Sequence, residues 1–578
     1  MTEPFIWAAR DLLTAATFAV AILIFLFGID DLVIDIAAFA RRLYRRLVIY
    51  RRHRPLHEED LKRVPEQWVA VMIPAWREAA VIERMLETAA TSYQYRNYRL
   101  FVGCYANDLE TCERATAAAA RHPEVIPVVL PREGPTSKAD CLNGIFARIR
   151  DHELRENVTF AIFVLHDAED VVHPLELRLF NYLIPRKDMV QLPVIPLERP
   201  LLDFTGGHYM DEFAELHGKD LLARELLFRQ VPSAGVGCAF SRRAVTMMAE
   251  RRGGEPFNSA SLTEDYDFAL QLKYLGLSQI FVRFAVTRAG PRHRRDRVAT
   301  REFFPDSFGA ACRQKARWLL GMVFQSMRLH GWRGPWRLKY ALWRDRKGLF
   351  TAFTGIIAYV LAIGWGLLWL APMWSGADPA PAMPPALVLL LWVNATLLAN
   401  RSLQRALAVW SVYGPAQALM SVPRQVWGNV INCCAGLRAI FLFARHLVTG
   451  KPLAWDKTQH AFPTAEELRP FHARIGQQLL RKGLVDGRRL RRALRRQRRT
   501  GEPLGLILGL EETALYEALA EQWGLPFRRD LSGANPAPMS SELAARHEVL
   551  ALVTDDGGWE IAAARPPGAA EKATVAAA

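Results

Sequence analysis

The sequence predicts an α/β domain inserted between membrane helices and followed by a small, mainly helical C-terminal domain. Strand-like apolar stretches alternate with helical stretches from Val69 to Val282, which is typical of a mainly parallel sheet. Long apolar runs flank this segment on both sides, and a separate leucine-rich pattern begins at Arg474. At 578 residues the chain is too long for one core, and we expect four segments: 1–62, 63–345, 346–463 and 464–578.

The first apolar run, Leu12–Gly28, has the composition of a membrane helix. A cleaved signal peptide is the alternative, but the run lacks a preceding basic segment and a small-residue cleavage site. Only Arg10 precedes the run, whereas a group of arginines follows it: Arg41, Arg42, Arg45, Arg46, Arg51, Arg52 and Arg54. The positive-inside rule therefore places the N-terminus outside and the α/β domain in the cytoplasm.

Two further runs, Gly348–Leu370 and Ala386–Ala399, are predicted membrane helices. The loop between them contains no Lys or Arg, as expected of an external loop. The next stretch, Leu403–Val448, is apolar but interrupted by prolines, asparagines and arginines. We interpret it as helices in or near the membrane interface, packed under the α/β domain. A fourth span is the alternative, and it would export everything that follows.

Charge and cysteine usage narrow the class of protein. The formal net charge is +15, but the arginines flank apolar runs or crowd one C-terminal helix, and no nucleic-acid-binding motif accompanies them. We therefore expect membrane lipids rather than a nucleic acid polymer as the anionic partner. The seven cysteines are scattered without paired metal-binding spacing, which favours a reducing cytoplasm for most of the chain.

Three short motifs carry the candidate chemistry: LHDAED (Leu165–Asp170), TEDYD (Thr263–Asp267) and QKARW (Gln314–Trp318). Asp167 and Glu169 follow the strand-like run Phe160–Leu165, so they lie at the strand's carboxyl end, where α/β sheets bind ligands. Carboxylate oxygens there can bind Mg²⁺ or Mn²⁺. Either Glu169 or its neighbour Asp170 is the second carboxylate that faces the metal.

The order and spacing of the three motifs resemble the processive, membrane-bound family 2 glycosyltransferases. This resemblance implies a GT-A-type domain that transfers sugar from a UDP-sugar to a growing glycan with inversion. Asp265, with Glu264 beside it, is then the catalytic base, because a positioned carboxylate can accept the proton of the attacking hydroxyl. An alternative role, in which Thr263 caps a helix with Asp265 or Tyr266 in its first turn, can coexist with catalysis. The chain departs from the family in two places, with Asp-Ala-Glu instead of Asp-x-Asp and with Lys315 in the second place of Q-(Q/R)-x-R-W.

The same resemblance assigns the remaining residues of the predicted site. Gln314, Arg317 and Trp318 line the acceptor and diphosphate site, with Trp318 as a sugar-stacking platform and Arg317 as a charge partner. On its own, a tryptophan in such a helical run more often belongs to the core. The segment Gly235–Phe240 reads as a close-approach turn near the acceptor or as a plain tight turn. Trp455–Thr458 resembles the W-x-K-T segment that ends the transferase core in related synthases.

Upstream residues are predicted to bind the nucleotide sugar together with Asp167. Glu78 ends the turn after the strand-like run Val69–Ile73, and Asp108 follows a second run, Leu100–Tyr105. Lys138 opens a segment similar to the family's Lys-x-x-x-Leu-Asn, where the lysine lies beside the nucleotide. Each of these residues is a weak signal alone, because a single Lys or Asp in a loop is usually solvated.

The C-terminal pattern resembles the N-terminal domain of type II secretion ATPases in its cyclic di-GMP-binding form. The resemblance implies a cyclic di-GMP site built from Arg474, Gly476, Leu479, Leu480, Gly483, Leu494 and Gln497, with Leu504 and Gly505 in a second copy. That copy is about four residues short, and Pro503 replaces its leading arginine. A ligand-free protein-docking domain is the alternative. The run Arg488–Arg499 is either a solvated helix face or a lipid contact, and Val549–Ala562 is a predicted strand-turn-strand.

The overall order of segments resembles the bacterial inner-membrane glycosyltransferases called phage adsorption protein B. This resemblance implies a multi-pass enzyme with cytoplasmic catalytic and C-terminal domains that builds an exopolysaccharide, responds to cyclic di-GMP and works with an outer-membrane partner protein. Two other readings stay open. One is a catalytically degenerate receptor or cyclic di-GMP effector with the same fold, and the other is a synthase that forms its own channel.

Overall fold

A seven-stranded sheet forms the centre of the α/β domain in the computed structural model. The strands of this domain are β1 (Trp68–Pro74), β2 (Tyr98–Tyr105), β3 (Val125–Leu130), β4 (Phe160–Leu165), β5 (Met189–Gln191), β6 (Val194–Pro196), β7 (Cys238–Ser241), β8 (Gln279–Phe281), β9 (Ala285–Thr287), β10 (Arg295–Arg297) and β11 (Thr300–Glu302). The order of the sheet is β3-β2-β1-β4-β7-β5-β8, and β7 runs antiparallel to both of its neighbours. The predicted mainly parallel sheet is therefore confirmed, with β7 as the exception.

The structure describes residues 2–287, 295–375, 383–450, 461–464, 467, 475–523, 527–531, 535–536, 545, 549–553 and 559–563. The predicted W-x-K-T segment, Trp455–Thr458, lies outside these residues, as does Arg474. The chain divides into two compact units, of which the larger contains residues 1–86 and 95–462 and the smaller includes residues 463–578.

The central strands read as continuous apolar runs because helices cover both faces of the sheet. In β1, for example, Val69–Ile73 is fully buried. The helices of this domain are α3 (Glu58–Lys62), α4 (Ile82–Ser92), α5 (Leu109–Arg121), α6 (Lys138–Glu156), α7 (Glu176–Leu183), α8 (Phe204–Glu215), α9 (Leu221–Phe228), α10 (Arg242–Arg251), α11 (Glu264–Tyr274), α12 (Phe308–Leu319) and α13 (Ser326–His330). Polar side chains fix several helix starts, since Ser137 caps α6, Asp203 caps α8 and Ser241 caps α10.

The register of the sheet gathers three loops at one edge. Met72 of β1 pairs with Leu165 of β4, and Leu165 pairs in turn with Cys238 at the start of β7. The turn after β1, the acidic loop after β4 and the glycine-containing turn before β7 therefore lie side by side. This is the edge at which α/β sheets bind ligands.

Within the described residues, four helices are long and apolar enough to cross a membrane, judged by length and composition: α1 (Thr2–Tyr44), α14 (Trp336–Ser375), α15 (Pro385–Tyr413) and α16 (Pro415–Thr449). The three predicted spans lie inside α1, α14 and α15, and a short α2 (Tyr50–Arg52) follows the first. The interrupted stretch that begins at Leu403 forms the end of α15 and a single helix, α16. Pro415 begins α16, where a proline costs no helical hydrogen bond. Pro423 lies inside the helix, which continues past it.

Buried charges join α1 to the later long helices. The carboxylate of Asp30 accepts hydrogen bonds from Tyr340, Arg344 and Lys347 of α14. Asp31 pairs with Arg401 of α15. The acidic residues at the end of the first apolar run therefore have a structural role, which is to hold the long helices together where they meet the α/β domain.

The smaller unit has its own core. It contains α17 (Ile475–Arg481), α18 (Gly487–Thr500), α19 (Leu504–Leu508) and α20 (Glu512–Trp523), followed by an antiparallel sheet of β12 (Asn535–Pro536), β13 (Val549–Val553) and β14 (Trp559–Ala563). Leu479, Leu490 and Leu508 are buried at the centre of the helices. The predicted strand pair is confirmed, and its turn at Asp556 lies outside the described residues.

Candidate active site

A cleft of about 760 Å³ opens at the edge of the sheet where the three loops meet. Nine of the ten predicted transferase-site residues line it: Glu78, Lys138, Asp167, Glu169, Glu264, Asp265, Gln314, Arg317 and Trp318. These residues come from five separate parts of the chain, and the fold brings all of them to one cavity. The cleft also extends to Glu212 and Glu215 at the end of α8 and to Arg401 and Arg405 on α15.

A buried histidine orders the acidic loop after β4. The ring of His166 lies between Oδ2 of Asp170 and Oε1 of Glu176, at 2.6 Å from each. Burial lowers the pKa of His166, but the two carboxylates outweigh this effect and raise it to about 10. Asp170 also accepts the backbone N–H of Asp167 at 3.1 Å. Asp170 therefore faces the interior, and Glu169 is the carboxylate that accompanies Asp167 in the cleft.

Lys138 supplies a positive charge among the carboxylates of the cleft. Its Nζ donates to Oδ1 of Asp167 at 2.5 Å and lies 3.9 Å from Oε1 of Glu264. Burial lowers the pKa of Lys138, but Asp167, Glu264 and Asp265 together raise it above its usual value. The ammonium group is therefore charged and held where the acidic loop meets the start of α11.

The donor atoms of the cleft fit a divalent cation that is shared with a substrate. Within the described part of the chain, no group of three or more His, Cys, Asp or Glu side chains is arranged to hold a metal ion by itself. Asp167 and Glu169 offer two hard oxygen ligands. Mg²⁺ and similar ions are commonly bound by one or two carboxylates together with waters and substrate phosphates, which matches this pair.

Asp265 lies in the first turn of α11 against a backbone that only glycine permits. Gly235 has φ +74°, and a Cβ added there would lie 2.8 Å from Oδ2 of Asp265. Burial raises the pKa of Asp265, and it raises that of Glu264 to about 8. Thr263 occupies the N-cap position of α11 with Asp265 in the first turn, as the alternative expected, but its side chain makes no capping hydrogen bond. The Gly235 turn is a close-approach turn, and it fits around the candidate base.

Trp318 is half-buried at the wall of the cleft and is braced by aromatic side chains. Tyr209 meets it edge-on at a centroid distance of 6.1 Å, and Phe213 and Phe304 lie within 6.4 Å. These contacts fix one side of the indole while the residue still lines the cavity. Nearby, Oε1 of Gln314 is buried and has no hydrogen-bond partner among the described residues. An unpaired buried amide oxygen at a cavity wall is suited to accept a hydrogen bond from a ligand hydroxyl.

Lys315, where the motif departs from the family pattern, lies behind the cleft wall. Its Nζ contacts Nε2 of His208 at 2.7 Å and Oε2 of Glu212 at 2.5 Å, both on α8. It also donates to Oδ1 of Asn432 on α16 at 2.8 Å. Lys315 thus ties α12 to α8 and α16. The sequence offered no signal for this role, because its three partners lie more than 100 positions away.

Asp108 is the predicted site residue that the structure does not bring to the main cleft. Its Oδ2 accepts the backbone N–H of Arg77 at 2.5 Å, and Arg77 has φ +56°. It lines a second cleft of about 650 Å³ together with Glu83, Arg84 and other residues of α4 and α5. Asp108 therefore acts on the main cleft indirectly, by holding the turn that leads to Glu78.

The predicted residues of the C-terminal motif divide into core and surface. A Cβ on Gly476 would lie 3.1 Å from Leu490, and one on Gly505 would lie 2.4 Å from Leu515, so both glycines allow helices to pack closely. Leu479 is fully buried and Leu504 packs against the same core. In contrast, Leu480, Gly483 and Leu494 are exposed and Gln497 is half-buried. Leu504 is also half-buried, so five of the described motif residues retain surface that a ligand can reach.

Comparison with known proteins identifies the family of the α/β domain and of the chain. Residues 65–321 match the family model described as "Glycosyltransferase like family 2", so this segment is a family 2 glycosyltransferase domain of the GT-A type, joined to membrane-length helices. The chain belongs to the family of bacteriophage adsorption protein B. It is 44% identical over 550 residues to that protein from Escherichia coli (strain K12), covering 91% of this chain and 73% of the relative.

Further matches are partial. A stretch of 80 residues, 13% of this chain, is 44% identical to 9% of the type IV pilus assembly ATPase PilB of Thermus thermophilus. Among solved structures, a mannosyltransferase of Pyrobaculum calidifontis in complex with GDP-Man and Mn²⁺ has 16% identity and a TM-score of 0.43, covering 75% of this chain and 99% of its own. The glucosyl-3-phosphoglycerate synthase of Mycobacterium tuberculosis with Mn²⁺, UDP and product has 19% identity and a TM-score of 0.27, covering 46% and 85%.

Proposed function

We propose that this protein is an inverting glycosyltransferase of the bacterial inner membrane that uses a UDP-sugar to extend an exopolysaccharide. One observation carries the proposal. A single cleft holds a cation-binding pair (Asp167 and Glu169), a lysine, a carboxylate at a helix start (Asp265) and an aromatic wall (Trp318). A nucleotide-sugar transferase needs these parts together, because a diphosphate must leave while a hydroxyl attacks.

On the donor side, Asp167 and Glu169 would hold Mg²⁺ or Mn²⁺ with the diphosphate oxygens. A bound ion would neutralise charge on the leaving group. The charged ammonium group of Lys138 would pair with phosphate oxygens. It lies 2.5 Å from Asp167, which is one of the two carboxylates that would hold the metal ion. Glu78, which is buried at the end of the turn after β1, lies on the nucleotide side of the same cleft.

On the acceptor side, a glycan hydroxyl would be placed between Asp265 and the aromatic wall. Asp265 accepts the hydroxyl proton as the oxygen bonds to the anomeric carbon, while the bond from that carbon to the diphosphate breaks on the opposite face. This single displacement inverts the configuration and requires no covalent enzyme intermediate. Trp318 stacks on the sugar, the amide of Gln314 accepts from a hydroxyl, and Arg317 pairs with the leaving charge.

We further propose that α16 lies in the plane of the membrane interface, so that α1, α14 and α15 are the crossings. The helix contacts the transferase domain over most of its length, from Gln417, which donates to the carbonyl of Arg199, to Phe443, which stacks on Phe324 at 4.7 Å. These contacts span about 40 Å of helix. A helix that crossed the hydrocarbon layer would leave the cytoplasmic domain within one or two turns. The opposite face presents apolar side chains that suit lipid: Leu419, Val422, Val426, Leu437, Ile440, Phe441, Leu447 and Val448.

This arrangement keeps the smaller unit on the same side as the transferase domain, which is the cytoplasm by the positive-inside rule. We propose that this unit binds cyclic di-GMP and regulates transfer. The support is the 80-residue similarity to PilB, together with the accessible positions Leu480, Gly483, Leu494 and Gln497. An outer-membrane partner that receives the polymer completes the proposal, by analogy with the phage adsorption relatives.

The test is UDP release by purified protein from a panel of UDP-sugars, with Mg²⁺ or Mn²⁺ and with or without cyclic di-GMP. We expect release from one donor, loss of at least 100-fold in Asp265→Asn, and no change in Asp151→Asn, an exposed carboxylate on α6. Release that does not depend on the dinucleotide would remove the regulatory part alone. No release from any donor, with cyclic di-GMP still bound, would instead support a receptor or effector that has lost catalysis.

A further inference from the structure

Helix α18 of the smaller unit concentrates positive charge far beyond the rest of that unit. Its 14 residues include eight arginines: Arg488, Arg489, Arg491, Arg492, Arg495, Arg496, Arg498 and Arg499. Leu490 and Ala493 on one side of the helix are buried in the core of the unit. Four arginines at spacings of three and four residues form a continuous exposed stripe on another side, and we name them the arginine face: Arg488, Arg491, Arg495 and Arg499.

Two other arginines of the helix have partners inside the unit. Arg489 donates to the carbonyl of Leu508 at 2.6 Å, and Arg496 pairs with Glu502 at 3.0 Å. Within the described part of the chain, no carboxylate lies within 4 Å of any guanidinium of the arginine face.

Like charges at these spacings destabilise a helix, and positive charge near its start opposes the helix dipole. The four arginines of the arginine face therefore repel one another, and no described acidic side chain of the unit pairs with them.

We propose that the arginine face docks on anionic lipid headgroups of the membrane to which this chain is anchored. Guanidinium groups match phosphate oxygens in geometry, and several arginines on one helix face are typical of segments that bind anionic membranes. The covalent connection to α16 keeps α18 near the membrane. Only residues 450–474 separate the end of α16 from the start of α17, so α17 begins at most about 85 Å along the chain from a membrane-length helix.

The site differs from the proposed dinucleotide site and does not depend on transferase activity. At 100° per residue, the centre of the arginine face lies about 165° around α18 from Gln497 and about 105° from Leu494, the two residues of this helix that belong to the dinucleotide motif. The ligand is the phosphate group of lipid headgroups at a membrane surface. Each arginine contacts such a group weakly, and the contacts together hold the helix on the membrane. Each basic residue near an anionic membrane favours the docked state by about fivefold, so four give a preference on the order of several hundredfold at low salt.

The experiment uses the full chain in nanodiscs of phosphatidylcholine alone or phosphatidylcholine with one third phosphatidylglycerol. Amide hydrogen exchange is followed in the peptide that covers α18. We expect slower exchange in the anionic discs by at least fivefold, reversal of this protection in 0.5 M NaCl by charge screening, and no lipid dependence in the quadruple variant R488Q/R491Q/R495Q/R499Q. The matched control, R150Q/R155Q/R243Q/R251Q, removes four exposed arginines from the transferase domain and should retain the protection.

Each other result overturns the proposal. Equal exchange in both lipids would make the arginine face a solvated surface. Protection that requires cyclic di-GMP and is equal in both lipids would make it part of the nucleotide site. Protection that persists in the quadruple variant would mean that another surface of the unit contacts the lipid. The comparison between lipids is made within each protein, so a folding defect in a variant leaves the result for the unaltered chain decisive.

Discussion

Replacing Arg424 with methionine should destabilise the larger unit more than any other single change on α16. Arg424 is fully buried, and its guanidinium contacts both oxygens of Asp211 on α8, at 2.9 and 2.8 Å. It also donates to Oε1 of Gln417 at 2.7 Å and to the carbonyl of the same residue at 2.9 Å. The close approach requires Gly207, where a Cβ would lie 2.5 Å from Nη1 of Arg424.

The magnitude follows from what the substitution leaves behind. Asp211 is 1% exposed, so Arg424→Met would strand an uncompensated carboxylate in the interior. Breaking a buried pair in this way costs about 3–5 kcal/mol. Removing both charges together is far less costly, because the desolvation of two ions is no longer required. The double variant Asp211→Asn/Arg424→Met should therefore recover at least half of the loss.

The assay is thermal unfolding of the purified chain in one detergent, followed by tryptophan fluorescence, with the monomer fraction after mild heating as a second readout. The control is Arg445→Met, an exposed arginine on the same helix. If Arg424→Met has the same melting temperature as the control, or if the double variant is as unstable as the single one, then this pair does not hold α16 on α8. The proposed in-plane position of α16 would then lose one of the contacts with the transferase domain that are consistent with it.

Three further predictions concern the cleft. Glu169→Gln should raise the Mn²⁺ concentration needed for half-maximal UDP release by at least tenfold in a metal titration, and an unchanged requirement would remove Glu169 from the ligand set. Burial raises the pKa of Asp265, and only the ionised carboxylate accepts a proton, so kcat/KM should fall as pH drops through a pKa above the ordinary aspartate value. A profile flat down to pH 4 would contradict this assignment. Gly235→Ala should lower kcat, because its Cβ would press on Asp265, and should also lower the melting temperature, because a backbone at φ +74° strains any residue that carries a Cβ.

The strands and most cleft residues were predictable because their signals are local in the sequence. An apolar run followed by acidic residues marks the end of a buried strand, and the carboxyl ends of parallel strands share one edge of a sheet. This argument placed the LHDAED motif, whereas TEDYD and QKARW were assigned to the same site by the resemblance to family 2 glycosyltransferases. The membrane-length helices were equally predictable, because a helix that crosses the hydrocarbon layer needs about 20 consecutive apolar residues, and such a run is visible in the sequence.

The remaining features depend on contacts between distant parts of the chain. Which carboxylate accompanies Asp167 was decided by His166, whose ring binds Asp170 and Glu176 and leaves Glu169 toward the cleft. The indirect role of Asp108 depends on the left-handed conformation of Arg77, and an arginine in the sequence does not predict that conformation. The sequence alone left open whether the stretch that forms α16 lies at the membrane interface or crosses the membrane, because the pairing of its polar residues with the transferase domain depends on distant contacts.

In the proposed in-plane position, helix α16 would connect membrane attachment to the proposed acceptor side of the cleft. One of its faces contacts α12 through Asn432 and Lys315, and α12 carries Gln314 and Trp318 at the cleft wall. Its opposite face is apolar and exposed. If that face rests on lipid, the helix would fix the height of the cleft wall relative to the bilayer. This arrangement suits the proposed extension of an exopolysaccharide, because the attacking hydroxyl would then be held at a constant distance from the membrane that the polymer must cross.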